Sequence, residues 1–149
     1  MTLTVDVASD GARSPLSRAR VAAIARSALR SEGIENALVS ITFLDRGGIA
    51  RLNTKHLGHR GATDVISFGF ARATERDPVI GDVYICPDVG RANAKSRRAP
   101  VREEIARLVV HGVLHVLGHD HPDGDDREES TMWRLQERLV RRANGASRR

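Results

Sequence analysis

The chain has a single cysteine, Cys86, only five aromatic side chains, and no apolar run approaching the length of a membrane span. Each shortage excludes something. One thiol makes no internal disulfide, and Cys86 stands in the apolar run Val83–Cys86, where it reads as a buried, inert side chain. A bilayer-spanning helix needs roughly 20 apolar residues, and the first ten residues carry Asp6 and Asp10 but no base, unlike a signal peptide. A cytoplasmic protein is therefore expected. Five aromatics are too few for a platform that stacks successive bases, so any grip on nucleic acid has to be mainly electrostatic.

What is present is ordinary for a folded domain. Hydrophobic residues make up 40% and charged residues 29% of the 149 residues, far from the composition of a disordered chain. That length suits one domain, 1–149. Lys and Arg outnumber Asp and Glu by 24 to 19. The bases are almost all arginine, whose planar fork fits phosphate, but net charge by itself shifts the odds on a polyanionic partner only slightly.

Periodicity sets the element order. Leu3–Val7 alternates as a strand, Ser14-Pro15 supplies a helix start, and Leu16, Ala19, Ala22, Ala25 and Leu29 recur at helical spacing before Gly33. A second strand is expected over Leu38–Leu44. Asp45 caps a short helix through Leu52, followed by a loop from His56 to Gly61. Strands over Val65–Phe68 and Asp82–Cys86, a short helix Asp88–Arg97 and an apolar helix Glu103–Leu117 come next. A last helix, Arg127–Arg142, packs through Met132, Trp133, Leu135 and Leu139, and residues 143–149 are expected as a disordered basic tail. The result is an α+β domain with a mixed, roughly four-stranded sheet packed with helices.

The chemistry lies in His111-Gly112-Val113-Leu114-His115-Val116-Leu117-Gly118-His119-Asp120-His121. On a helix, positions four apart share a face, so the imidazoles of His111 and His115 can meet one ion. Gly118 lets the chain turn back and bring His121 as a third ligand, leaving a tetrahedral position for water, as in a catalytic zinc site. Three neutral imidazoles favour one Zn²⁺, with nickel, copper and iron as the other metals such a set can take. The helix is zincin-like in spacing. Metzincin proteases, however, carry a glutamate directly after the first histidine as general base, and here that residue is Gly112. Peptide hydrolysis thus loses its proton acceptor. Asp123, Gly124, Asp125 and Asp126 lack the alternating ligands and distal glutamate of an EF-hand and read as a solvated turn.

Residues 111–121 resemble the His-Gly-x-Leu-His-x-x-Gly-x-Asp-His signature of the YbeY family. Thr63–Phe68 and Gly81–Cys86 resemble two further blocks of that family, and with Asn53, Met132 and Glu137 the likeness spans roughly residues 37–140. The resemblance implies a bound zinc and endonucleolytic cutting of single-stranded RNA in maturation of the small-subunit rRNA 3′ end and in ribosome quality control, with the ribosome or its proteins as partners. One departure matters: Leu57 stands where the family has an arginine associated with RNA cleavage. His59 or Arg60 on the same loop can supply that cation instead. The reaction is accordingly assigned to His111, Arg60 and Asp120, with Asp120 or Asp64 as orienting or proton-accepting carboxylate. The alternative is a ribosome-assembly or RNA-binding factor whose zinc is structural.

Overall fold

A computed structural model of the chain describes residues 2–120 and 130–147. Among the described residues, four strands and five helices form one α+β domain. Strand β1 (Leu3–Asp10) pairs in parallel with β2 (Ala37–Leu44), β2 in parallel with β4 (Val79–Ile85), and β3 (Val65–Phe70) closes the edge antiparallel to β4. The order β1-β2-β4-β3 is the mixed sheet expected from the sequence. Helices α1 (Arg18–Ser31), α4 (Val101–Val116) and α5 (Thr131–Ser147) share the main core with one face of that sheet. On the other face α2 (Arg46–Leu57) lays Ile49 and Leu52 against Ile66, Phe68 and Tyr84. Helix α3 (Pro87–Arg97) packs beside α4 through Gly90, where an added Cβ would lie 2.9 Å from Ile105.

Alternation explains the strands. Val39, Ile41 and Phe43 on β2, and Val79, Val83 and Ile85 on β4, are all buried toward the helices. Capping explains the helices: Ser17 accepts from Arg20 N at 3.1 Å to start α1, and Asp45 accepts from Gly48 N at 2.7 Å to start α2. Gly58, at φ 68°, ends α2 in the left-handed conformation. The start of α1 therefore lies at Ser17 and not at Ser14, whose hydroxyl accepts from Leu16 N instead.

Element ends differ most from the sequence pattern. β1 runs on to Asp10 because the backbones of Ala8, Ser9 and Asp10 pair with Thr42, Phe43 and Leu44, whatever their side chains prefer. Helix α5 continues to Ser147, into the segment expected as a tail. Ala143 is buried and its carbonyl accepts from Arg20, while Asn144 donates to Glu103 at 3.0 Å. Cys86 is fully buried, as expected. Among the described residues no helix is long and apolar enough to cross a membrane.

The seat of α4 on the sheet positions the histidines. A Cβ at Gly112 would come within 2.5 Å of Val83, and one at Gly81 within 2.4 Å of the Val116 side chain. At Gly69 the Val116 carbonyl oxygen would be 2.7 Å away. Three glycines thus let the helix approach more closely than side chains permit. This gives Gly112 a physical reason: the metzincin glutamate cannot occupy that position without lifting α4 off β4. The neighbouring His111 and His115 are left half-buried along the edge of the contact.

Candidate metal centre

The last two turns of α4 hold the His111 and His115 rings edge to face, their centroids 4.5 Å apart. Each ring is held from behind. His111 Nδ1 lies 2.6 Å from Gln136 Oε1 on α5, and His115 Nδ1 lies 2.9 Å from the His119 carbonyl oxygen. Both partners are acceptors, so each Nδ1 donates and the lone pair sits on Nε2 in both rings. Gly118, at φ 94°, makes the second contact possible by turning the chain back so that His119 N reaches Leu114 O at 3.0 Å. Metal-binding histidines typically have their far nitrogen fixed in this way.

Behind Gln136 lies a buried ionic network. Gln136 Nε2 donates to Glu137 Oε2 at 3.1 Å, and Glu137 receives a bidentate pair from Arg107 Nε and Nη2, both at 2.8 Å. Arg107 Nη1 also meets Glu104 at 2.6 Å, and Glu104 in turn pairs with Arg97 Nε at 3.3 Å. Burial alone would raise the Glu137 carboxyl, but the hydrogen bonds from Arg107 and Gln136 and the arginine charges outweigh it and hold that carboxyl below its ordinary range. Burial likewise works against the Arg107 cation, yet Glu137 and Glu104 raise its pKa overall. The ionised carboxylate of Glu137 orients the Gln136 amide, since only its NH₂ end can face a carboxylate. That places the amide oxygen at His111.

These residues border a cleft of about 290 Å³ that takes in His111, His115, Gln136, Arg107, Arg97 and Trp133 from the helices. From α2 it takes in Leu57, and from β3 and the two residues before it the run Thr63–Ser67. Asp64 lines it, held by Asn93 Nδ2 at 3.0 Å. Ser67 lines it too, as a strand residue. His59 and Arg60 sit on the exposed loop after α2 and are not among the lining residues. Asn53 anchors that loop from beneath through Gly61 O at 3.1 Å. Asp120 is exposed at the end of a described segment, and His121 and the acidic run 123–126 lie outside the described residues. His119 is turned away to pair with Glu32 of the α1 end.

Sequence reading missed Gln136, Glu104, Arg107 and Arg97 as parts of this site. A signal was there: Glu104 and Arg107, three apart, are charged residues inside a helix that is otherwise apolar along most of its length, where ionised side chains persist only when paired.

A sequence model described as endoribonuclease YbeY matches residues 9–144. The chain belongs to the YbeY endoribonuclease family. The endoribonuclease YbeY of Frankia casuarinae is 32% identical over 97% of this chain and 76% of its own length. That of Thermobifida fusca is 33% identical over 93% of this chain and 92% of its own. The solution structure of TM1509 from Thermotoga maritima shares the fold, with TM-score 0.64 and 22% identity over 97% of this chain and 92% of that one. YbeY membership carries an endoribonuclease role and therefore an RNA substrate.

Proposed function

We propose that this YbeY protein is a zinc-dependent endoribonuclease that hydrolyses single-stranded RNA, acting in maturation of the small-subunit rRNA 3′ end and in ribosome quality control in the cytoplasm. The supporting observation is the pair of imidazoles on α4, each with Nδ1 held by an oxygen acceptor and the two rings edge to face, bordering a cleft that also holds arginine and aspartate. That donor chemistry fits zinc. His111 and His115 would hold the ion together with His121. When bound, zinc supplies Lewis acidity for phosphoester hydrolysis.

The chain's own residues do the rest. Gln136 and the His119 carbonyl fix the two rings. Asp64, kept in place by Asn93, is the cleft carboxylate available to take a proton from attacking water, while Arg107 and Glu104 are consumed by each other. Asp120 is exposed and suits an orienting role toward a neighbouring ligand more than contact with substrate.

Purified full-length protein incubated with single-stranded RNA is expected to cut it internally. Chelator should stop the cutting, and added zinc should restore it. RNA that is bound tightly but stays intact with zinc present would instead favour the non-catalytic assembly factor.

A further inference from the structure

We infer that the exposed arginine row on α5, Arg134, Arg138, Arg141 and Arg142, binds the phosphate backbone of the RNA strand where it leaves the cleft. The inference rests on the proposal of RNA hydrolysis at His111 and His115, and carries the RNA contact beyond that cleft.

Helix α5 has two unlike faces. Met132, Gln136, Leu139, Val140 and Ala143 are buried against the rest of the domain, whereas Arg134, Arg138, Arg141 and Arg142 are all exposed. At about 3.6 residues per turn, the four arginines fall within an arc of roughly 100°. Arg134, Arg138 and Arg142 follow one another at steps of about 6 Å along the axis, from a rise of ~1.5 Å per residue. The helix carries one acid, Glu137, and that carboxylate is turned inward to Arg107 at 2.8 Å. Among the described residues none of the four arginines takes part in an ion pair.

Such a face is costly by itself. Like charges three or four apart on a helix repel, and Arg138 stands in that relation to Arg134, Arg141 and Arg142 with no carboxylate beside them. A polyanion offsets the repulsion, and a row of guanidinium forks along a straight rod suits the regularly spaced charges of a nucleic-acid backbone. Position then selects the strand being cut. Trp133 and Gln136, in the first turns of the same helix, line the cleft with His111, and Arg134 directly follows Trp133. The row therefore begins at the cleft rim and runs away from it along α5. A strand seated at the histidines needs only to continue past Trp133 to lie against it.

The test compares two oligouridylates on zinc-loaded, full-length protein. One of about 16 nucleotides reaches from the cleft onto α5, and one of about 4 does not. Affinity is measured across a range of salt, and KM and kcat for cutting are measured for each length. In the variant Arg134→Gln/Arg138→Gln/Arg141→Gln/Arg142→Gln, the salt dependence of binding the longer RNA should flatten by about 0.7 in log–log slope per lost phosphate contact, about 2.8 for all four. Its KM for the longer RNA should rise roughly 10- to 100-fold at low salt, with kcat, zinc content and cutting of the short RNA at wild-type levels. Its melting midpoint should equal or exceed that of wild type, because the like-charge pairs are gone. Lysine at the same four positions should restore the salt slope, as a contact made by charge requires. The exposed residues Arg13, Arg30, Arg46 and Arg76 provide a control: changing all four to glutamine removes the same charge elsewhere and should leave the slope nearly intact. The inference is overturned if the folded α5 variant matches wild type in slope and KM, if the control variant loses as much, or if the short RNA is affected equally. Wild type that neither binds nor cuts RNA would refute the underlying RNA reading, and the inference with it.

Discussion

Replacing His115 with alanine is expected to abolish zinc binding and to lower RNA cutting by about 10³-fold or more. A bound metal contributes several kcal/mol of transition-state stabilisation to hydrolysis, and roughly 4 kcal/mol corresponds to three decades at ~1.4 kcal/mol each. Folding should survive, because the substitution removes a half-buried ring at the end of α4, and losing its hydrogen bond to the His119 carbonyl costs about 1 kcal/mol. His119→Ala is the matched comparison. It removes the side chain that pairs with Glu32 but keeps the carbonyl that accepts from His115, so zinc and cutting should persist. Metal content by atomic emission and a gel assay on single-stranded RNA read both quantities, and a His115→Ala protein that keeps its zinc would contradict the assignment of this ring.

Replacing Arg107 with methionine is expected to destabilise the protein by about 3–5 kcal/mol, the usual cost of stranding buried charges. Against a total stability of order 5–15 kcal/mol, that is a large fraction. Glu104, whose side chain is 2% exposed, and Glu137, at 22%, would lose their nearest positive partner. The same change reaches the metal site, because Glu137 orients the Gln136 amide and the amide oxygen accepts the hydrogen bond from His111 Nδ1. Denaturant unfolding checks the magnitude, and a loss below about 1 kcal/mol would show that the network is solvated. The network also implies a pH dependence. The folded Glu137 carboxyl titrates below its ordinary value of 4.5, so its stabilising contribution is complete above that value and is lost as the pH falls through the lower folded value.

Strand alternation and helical spacing make most of the fold legible in the sequence. The β2 and β4 alternation gave the buried face of the sheet, and the apolar run before Gly118 gave α4. Residues whose state depends on partners far along the chain were not legible. Ser9 and Asp10 look like loop residues until β2 supplies their hydrogen-bond partners. Asn144 looks like a frayed end until Glu103, 41 residues away, accepts from it. The site divides the same way. His111 and His115 declare themselves by spacing within one helix, whereas Gln136 acquires meaning only when α5 packs on α4, and Arg97 only when α3 ends against Trp133. Glycine at 112 read as a missing catalytic base. The structure adds that Val83 leaves no room for any side chain there.

Zinc-edge X-ray absorption on the full-length protein tests the central claim most directly. One zinc per chain is expected, with three imidazole nitrogens at about 2.0–2.1 Å and a fourth light-atom ligand from solvent. A sulfur shell at about 2.3 Å, or a fourth protein nitrogen closing the coordination sphere, would contradict it.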